Sequence, residues 1–263
     1  MKAMRPLFLF VALLLAVGMA CNAMSSSTEV PAQPPQDEPV VPVQPQETEE
    51  PAPQPEPTEE PPTAVPPQSD FYTEEFNSPL SSDWTVFYLE ASDKADIDKV
   101  TVEAEDGKLV WDFDSEYLYF YLFNTAHKYE DVTVKVRADN LGRNNNNVSL
   151  MCRYDPEVGW YEFNIANNGL YNIYYAEINS QGKIVYNRIT NGGSNSIKQG
   201  KDVNEYSITC KGQELSLTIN GDEVNTITER KYSLRDGNIG ISVSSFNVLP
   251  ILVEMDWLEV SEP

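Results

Sequence analysis

The feature that most constrains the fold is a two-residue alternation of apolar and polar side chains that recurs along residues 70–263. It is clearest at residues 132–136, 215–219 and 239–243, where aliphatic side chains occupy every second position. Because this period places alternate side chains on opposite faces of a strand, each segment predicts a β-strand with one buried face. No stretch combines helical spacing with helix caps, so the pattern predicts an all-β domain.

Turn dipeptides separate several of these segments. Asn-Gly and Asp-Gly readily adopt the positive φ angles that two-residue hairpins need. They occur at Asp106-Gly107, Asn168-Gly169, Asn191-Gly192, Asn220-Gly221 and Asp236-Gly237. Roughly a dozen or more strands at this spacing favour a β-sandwich.

Residues 1–20 have the layout of an export signal. Lys2 and Arg5 precede an apolar run at residues 7–17, which has the length of a signal-peptide core and is too short to span a bilayer. Cys21 follows directly. This arrangement resembles a bacterial lipoprotein signal, which implies that Cys21 is lipidated and becomes the first residue of the mature protein. The alternative is an ordinary signal peptide whose cleavage releases a soluble protein.

The next segment, residues 21–69, has the composition of a disordered tether. It holds fourteen of the chain's nineteen prolines and nine carboxylates, with no lysine, arginine or aromatic residue. Such a segment buries too little apolar surface to offset the entropy of ordering, and its prolines favour an extended chain. We expect a spacer that holds the domain away from a bacterial envelope membrane, on the extracytoplasmic side. A docking site for a proline-binding partner is the alternative.

The charge of the chain restricts its partners. The formal net charge is −23, and residues 70–263 contain 32 acidic and 16 basic residues. Phosphate backbones repel such a domain, so nucleic acid is excluded as an expected partner. We expect membrane contact through the lipid anchor only. The sequence also lacks a glycine-rich phosphate loop and a dinucleotide-binding fingerprint.

Three segments carry a resemblance to a known superfamily. They are residues 71–84 (FYTEEFNSPLSSDW), residues 150–171 (LMCRYDPEVGWYEFNIANNGLY) and residues 204–260, which end in VEMDWLEV. Together they resemble the concanavalin A-like lectin/glucanase superfamily, in its laminin-G-like and 3-keto-disaccharide-hydrolase-like branch. The resemblance implies a jelly-roll sandwich of two antiparallel sheets. It does not fix the function, because this superfamily includes lectins, glycosidases and adhesion modules.

Two cysteines remain in the domain when Cys21 is set aside. Cys152 shares a strand face with Leu150, and Cys210 shares one with Ile208, so both side chains should point inward. Disulfides persist in exported proteins. We therefore predict a Cys152–Cys210 disulfide, with two buried free thiols as the alternative.

Three carboxylates form the first candidate catalytic set. In the segment WDFDSE, a two-residue period would put Asp112, Asp114 and Glu116 on one strand face. The resemblance suggests a comparison with retaining glucanases, in which a Glu-x-Asp-x-Glu strand supplies a nucleophile and an acid/base. Here an aspartate replaces the first glutamate of that pattern, so a turn between two strands is the favoured interpretation and catalysis by the trio is the alternative. Glu162 is a further candidate.

An aromatic stripe follows this segment. Its members are Tyr117, Tyr119, Tyr121 and Phe123, and they alternate with Leu118, Phe120 and Leu122. If the latter three side chains point inward, the tyrosines line the other sheet face, where flat rings with a polar tip suit stacking on sugars. Trp160, Glu162 and Tyr175 are predicted to extend this surface. The alternative is that this strand is buried on both faces and uses the tyrosines as core residues, since strands are rich in tyrosine.

The sequence gives less evidence for a metal site, or for a role of the single histidine, than for the aromatic surface. The resemblance implies a structural Ca²⁺ ion between the first and last strands, and Asp70 and Asp256 are its candidate ligands there, since carboxylate and carbonyl oxygens bind this ion. No other cofactor is indicated. His127 is expected in a solvated loop, and the Asn run at residues 144–147 is expected to be a polar loop.

The sequence favours a membrane-anchored, extracytoplasmic binding module without catalytic activity. We expect it to recognise a carbohydrate or a surface partner through its aromatic sheet face. One alternative is an adhesion or envelope protein that binds another protein. The other is a hydrolase that acts on a glycoside or a 3-keto-disaccharide.

Overall fold

The computed structural model describes residues 70–143 and 146–263. The expectations for the export signal, for Cys21 and for the tether lie outside these residues, as do Asn144 and Asn145. The described part folds into fifteen β-strands and one short 3-10 helix, Ile97–Lys99. Within these ranges, no helix is both long enough and apolar enough to cross a membrane.

The strands form two antiparallel sheets. In chain order they are β1 (Tyr72–Glu74), β2 (Trp84–Glu90), β3 (Val100–Glu105), β4 (Lys108–Phe113), β5 (Leu118–Tyr129), β6 (Val132–Asn140), β7 (Asn146–Asp155), β8 (Gly159–Ala166), β9 (Leu170–Ile178), β10 (Ile184–Gly193), β11 (Val203–Lys211), β12 (Glu214–Ile219), β13 (Asp222–Thr228), β14 (Gly237–Ser245) and β15 (Ile251–Ser261). One sheet has the order β13-β12-β11-β6-β15-β4-β3, and β1 pairs with β15 as its eighth strand. The other has seven strands in the order β10-β9-β8-β7-β14-β5-β2. This arrangement confirms the predicted jelly-roll sandwich.

The apolar side chains of the two-residue alternation form the core between the sheets. Val132, Val134 and Val136 of β6 point into it from the eight-stranded sheet, and Ile239 and Ile241 of β14 point into it from the seven-stranded sheet. Each of these five side chains is completely buried. Burial of apolar surface stabilises the fold by roughly 25 cal/mol per Å², so the two-residue period fixes which face of each strand turns inward.

The turn dipeptides form hairpins at two of the clearest positions. Asp106 and Gly107 join β3 to β4 with φ angles of 51° and 73°, and Asn220 and Gly221 join β12 to β13 with φ angles of 51° and 86°. The prediction of a turn at Asn191-Gly192 is wrong, because both residues lie inside β10. A Cβ atom on Gly192 would meet the Tyr171 hydroxyl at 2.5 Å, so this glycine permits a close approach of that ring.

A disulfide joins the two sheets. Cys152 of β7 and Cys210 of β11 are bonded, with their Cα atoms 6.7 Å apart. β7 belongs to the seven-stranded sheet and β11 to the eight-stranded sheet. Both side chains are fully buried. The predicted pairing is confirmed.

Next to the disulfide, a buried arginine ties three turns together. Arg153 is only 2% exposed. Its guanidinium donates to the backbone oxygens of Glu130 at 2.8 and 3.1 Å, Gly212 at 2.9 Å and Leu234 at 2.8 Å. A guanidinium presents its donors in a fixed fork, so this side chain holds these turns in register with the end of β7.

The disulfide should carry much of the stability of the domain. Replacing both cysteines, Cys152→Ala with Cys210→Ala, should lower the free energy of unfolding by about 4 kcal/mol, since the unfolded chain is no longer closed into a loop. The loop spans 58 positions. Guanidinium denaturation of the isolated domain measures the change, and the reduced wild type should match the double variant. An unchanged denaturation midpoint would contradict the prediction.

Candidate functional site

The seven-stranded sheet is covered on both faces. In β5, Leu118 and Leu122 pack in the core between the sheets, whereas Tyr119 and Tyr121 pack on the opposite side. We call this opposite side the outer face. The central strands β7, β8 and β14 are buried along nearly their whole length. The outer face is therefore a second, smaller packed layer rather than a bare surface.

Two tyrosines meet across the outer face. Tyr121 in β5 and Tyr186 in β10 contact each other through their hydroxyl oxygens. Four strands lie between β5 and β10 in the sheet. In a flat sheet this separation would be about 24 Å, which is farther than two tyrosine side chains reach. The sheet therefore curls around its outer face, and this tyrosine pair crosses the resulting hollow.

On one side of the tyrosine pair, side chains fill the hollow. They form an aromatic cluster that consists of Tyr121, Phe123, Met151, Tyr154, Trp160 and Ala176. The rings of Phe123 and Tyr154 stack with centroids 3.6 Å apart, and the rings of Tyr121 and Trp160 meet edge to face at 6.1 Å. No member of the cluster is more than 8% exposed. The cluster itself therefore offers little surface to a ligand, and the partly exposed Phe87, Ile178 and Ile184 pack around it.

On the other side of the tyrosine pair, the hollow is open. A pocket of about 200 Å³ lies there, lined by Tyr119, Asn147, Asn164, Asn172, Tyr174, Tyr186 and Phe246. The ring centroid of Tyr186 is 5.3 Å from that of Tyr174 and 6.4 Å from that of Tyr119. The ring of Phe246 meets that of Tyr119 edge to face at 6.2 Å. Four aromatic rings thus surround three amide side chains, and none of the lining side chains is charged.

Strand register places the amides together. Asn164 in β8 lies opposite Asn172 in β9 and opposite Ser149 in β7. Phe163 and Ile165, its neighbours in β8, are buried in the core between the sheets. The two-residue period therefore sends the Asn164 side chain to the outer face.

A row of hydrogen bonds leads from the pocket to a buried carboxylate. Asn147 Nδ2 donates to Asn164 Oδ1 at 2.7 Å, and Asn164 Nδ2 donates to Ser149 Oγ at 2.9 Å. Ser149 Oγ donates to Glu162 Oε1 at 2.9 Å. Trp160 Nε1 donates to Glu162 Oε2 at 3.1 Å. We call this series the polar row. It fixes the orientation of two of the three pocket amides.

Burial changes the acidity of Glu162. Its side chain is 1% exposed. Burial raises the pKa of this carboxyl above its ordinary value, and the hydrogen bonds from Trp160 and Ser149 offset only part of the rise. The cause is the loss of water around the charged form. The carboxyl therefore holds its proton to a higher pH than an exposed glutamate does.

The third amide is available to a ligand. Within the described residues, the half-buried Asn172 side chain has no hydrogen-bond partner, whereas Asn147 and Asn164 bond to each other. Ser244, opposite Asn147 in β14, has a buried hydroxyl without a partner among the described residues. One pocket amide and one buried hydroxyl of the neighbouring strand β14 thus retain unused hydrogen-bonding capacity.

A second cavity, of about 400 Å³, lies on the outside of the eight-stranded sheet. Its lining includes Glu75, Asp256, Trp257 and Glu259. Asp256 already accepts from Arg137, and the ammonium of Lys135 lies 5.1 Å from the Trp257 ring centroid. Because its aromatic face and one of its carboxylates are occupied, this cavity is a weaker candidate site than the smaller pocket.

The aromatic stripe is only partly where the sequence places it. Tyr119, Tyr121 and Phe123 share the outer face as predicted, but only Tyr119 lines the pocket. Tyr117 lies in the turn before β5 with a φ of 52°, because the strand begins at the next residue. Tyr175 faces the core between the sheets, where its hydroxyl donates to the Val158 oxygen at 2.7 Å.

Of the other predicted ligand-facing residues, Trp160 and Glu162 do lie on the outer face. Both are buried beneath the tyrosine pair, and the Trp160 indole donates a hydrogen bond to the Glu162 carboxyl. They support the pocket rather than line it. A direct role in binding for these residues stays a prediction.

The predicted carboxylate trio does not form. Asp112 is exposed near the end of β4 in the eight-stranded sheet, Asp114 follows that strand, and Glu116 lies in the turn before β5. Glu116 pairs with Lys94 at 3.0 Å. Because β4 ends at Phe113, the three carboxylates do not share a strand face, and the favoured interpretation of strand-end and turn residues is confirmed.

Asp70 and Asp256 lie apart. Asp70 contacts His127, with Oδ1 and Nδ1 3.1 Å apart. In the β1–β15 pair, Glu74 is opposite Leu258. This register places Asp256 six residues along the strands from Asp70, a separation of about 20 Å. Among the described residues, no three histidine, cysteine or acidic side chains are grouped as a metal site would need. Calcium binding stays a prediction that these two residues do not support together.

Two other expectations need correction. His127 lies within β5 rather than in a loop, because that strand continues to Tyr129. Asn146 and Asn147 begin β7, so this end of the Asn run belongs to a strand. Asn147 lines the pocket.

Sequence reasoning missed the amides Asn147, Asn164 and Asn172 as pocket residues. The signal was present at Asn164 and Asn172, which sit beside core positions in strands with strict alternation. A polar side chain that faces away from the core of a covered sheet is a candidate for ligand contact. The sequence alone did not reveal that the sheet curls over these positions.

Comparison with known proteins agrees with the fold. A family model for the 3-keto-alpha-glucoside-1,2-lyase-like domain matches residues 72–249. A glycoside hydrolase family 16 endo-glucanase from Bacteroides ovatus has a TM-score of 0.52 at 12% sequence identity, over 72% of this chain and 99% of that chain. A Bacillus subtilis protein of unknown function with a galectin-like fold has a TM-score of 0.52 at 12% identity, over 73% and 94% of the two chains. No curated protein matches the chain. The predicted resemblance to the concanavalin A-like superfamily is confirmed.

The raised pKa of Glu162 predicts a pH-dependent difference between the wild type and Glu162→Gln. A carboxyl whose pKa rises on folding stabilises the folded state most when it is protonated. Its contribution is complete below the unfolded pKa of about 4.3 and is lost as the pH rises through the folded-state pKa. Denaturation at pH 4.5 and pH 8 should therefore show the wild type losing stability relative to Glu162→Gln.

The Glu162→Ala variant is the control for the contacts of the polar row. It removes the acceptor for Ser149 and Trp160, so it should cost about 1–3 kcal/mol at both pH values. A wild type that gains stability over Glu162→Gln as the pH rises would contradict the raised pKa.

Proposed function

We propose a carbohydrate-binding function for this chain, which belongs to the 3-keto-alpha-glucoside-1,2-lyase-like domain family. The bound sugar would lie in the pocket on the outer face of the seven-stranded sheet. The family and the lectin/glucanase fold make carbohydrate the most plausible class of ligand. The observation that carries the proposal is the uncharged lining of four aromatic rings around three amides.

The chemistry of the lining suits a sugar. Sugar rings present C–H faces that pack on aromatic side chains, and tyrosine adds a hydroxyl at the rim of the contact. Amide side chains both donate and accept hydrogen bonds, as sugar hydroxyls also do. Asn172 offers its free amide, while the polar row holds Asn147 and Asn164 in place before a ligand arrives. Such preorganisation reduces the entropic cost of binding.

The proposed module is non-catalytic. Glycoside hydrolysis usually employs two carboxyl groups separated by about 5–9.5 Å across the scissile bond. Among the described residues, none of the pocket-lining side chains is a carboxylate. Glu162 is the only carboxylate of the polar row, and the tyrosine pair and Trp160 cover it.

One observation favours a second candidate function, the cleavage of a glycosidic bond. Raised pKa values in buried carboxyls are a recurrent property of catalytic acids, and Glu162 has one. The name of the family also refers to a lyase. Incubation with 3-keto-α-glucosides and with unmodified glucans, followed by an assay for released sugar, tests this candidate. Release by the wild type that Glu162→Gln abolishes would favour catalysis over binding alone.

Presentation from a membrane is part of the proposal. Lipidation at Cys21 would anchor the chain, and the proline-rich segment at residues 21–69 would hold the domain away from the lipid surface. Two or three acyl chains give stable anchoring, whereas one does not. Cell fractionation tests this step. Cys21→Ser should move the protein from the membrane fraction to the soluble fraction.

Binding should depend on the pocket residues. A glycan array of neutral α- and β-glucans, followed by calorimetry on the glycan that binds best, provides the reference affinity. Asn172→Ala should weaken that affinity roughly two- to tenfold, since a hydrogen bond is worth about 0.5–1.5 kcal/mol. Tyr174→Ala should weaken it at least as much, because it removes a ring from the wall.

The matched control is Asn187→Ala. Asn187 is in β10 between Tyr186 and Arg188, so its side chain points away from the outer face. Its replacement should leave the affinity unchanged, and all three variants should keep their thermal unfolding temperature within a few degrees. Equal affinities for Asn172→Ala, Tyr174→Ala and the control would contradict this location for the site. Binding to a protein partner, with no binding to any glycan, would contradict the proposed function.

A further inference from the structure

We infer that the pocket is closed at one end and accepts the terminal sugar unit of a glycan chain rather than an internal stretch. The inference rests on the proposed function, because it assumes that this pocket binds sugar. Its basis is the way in which the tyrosine pair and the aromatic cluster divide the outer face.

The tyrosine pair forms the closed end. Tyr186 lines the pocket with one side of its ring, and its hydroxyl contacts the Tyr121 hydroxyl on the opposite wall of the hollow. Tyr119 and Tyr174 flank the Tyr186 ring at centroid distances of 6.4 and 5.3 Å. These rings leave no passage at this end between β5 and β10.

The space behind the tyrosine pair is filled. Trp160, Met151 and Ala176 of the aromatic cluster are completely buried, and Phe123 is 1% exposed. An internal glycan segment must leave a site in two directions. One of those directions would run through the cluster, and a chain could take it only by displacing these packed side chains. Protein interiors are packed as densely as organic crystals, so such a path does not exist in the folded domain.

The size and charge of the pocket fit the same conclusion. Its volume of about 200 Å³ is below the roughly 300–1,000 Å³ of sites for drug-sized ligands, so it has room for about one sugar ring. None of the lining residues is charged, which fits a neutral sugar, and the Arg188 guanidinium interacts with Tyr174 at the wall. The rest of the chain would extend from the open side into solvent, where it makes few contacts.

Oligosaccharides of increasing length test whether the pocket accepts only a chain end. The probes are malto-oligosaccharides and laminari-oligosaccharides of two to six units, with cyclomaltohexaose as a ring that has no chain end. In the series that binds, calorimetry should give the disaccharide and the hexasaccharide affinities per chain that differ less than about threefold. If maltohexaose binds, cyclomaltohexaose should bind at least tenfold more weakly. An affinity that rises tenfold or more with chain length, or equal binding of the linear and cyclic hexamers, would overturn the inference.

A saturation-transfer NMR measurement on the hexasaccharide of the binding series gives an independent readout. Protons of one terminal unit should receive most of the saturation. Even saturation along the chain would overturn the inference while leaving carbohydrate binding intact. If neither oligosaccharide series nor any other neutral glycan on the array binds, the proposed function is contradicted, and so is the inference that rests on it. The two failures are thus distinguishable.

Discussion

The structure depends on one constraint, which is that the central strands of the seven-stranded sheet are buried on both faces. Core aliphatic side chains cover one face, and side chains of the sheet itself cover the other. The second covering is achieved because the sheet curls until Tyr186 of β10 reaches Tyr121 of β5. Most polar side chains under such a cover need a partner, although among the described residues the hydroxyls of Ser242 and Ser244 have none. The polar row from Asn147 to Glu162 supplies partners, and it also arranges the amides of the pocket.

Much of the fold was predictable from the sequence because it depends on the periodicity of short segments and on the backbone preferences of turn residues. Residues 132–136 and 239–243 alternate with the period of a strand, and Asn220-Gly221 has the backbone freedom of a hairpin. Cys152 and Cys210 share faces with core residues, so their pairing also followed. At Asp112, Asp114 and Glu116 the spacing of a strand continues past the strand itself, because the chain leaves β4 at Phe113; the favoured interpretation of a turn is confirmed there.

The candidate site was less predictable because it depends on contacts between distant strands. Tyr186 is 65 residues from Tyr121, and nothing in either local sequence indicates that their hydroxyls meet. The orientation of the aromatic stripe in β5 was predictable from its period. Its burial was one of two interpretations that the sequence left open, since it depends on the curl of the sheet. For this reason Tyr121 and Trp160, predicted to face a ligand, lie buried in the aromatic cluster and do not line the pocket.

The proposed role combines a small sugar pocket with presentation from a membrane. A site that accepts a chain end needs the end to be accessible, and a long spacer would give the domain freedom to reach such ends. The acidic surface would keep the domain away from anionic lipid headgroups. The pocket is the central claim, because both the ligand class and the preference for chain ends depend on it.

The most direct test is an NMR titration that follows the side-chain amide signals of the asparagines while a bound glycan is added. Binding in the pocket predicts that the signals of Asn147, Asn164 and Asn172 shift together, while that of Asn187 does not move. Shifts confined to the Trp257 indole and its neighbours on the eight-stranded sheet, with the three pocket amides unchanged, would contradict the account.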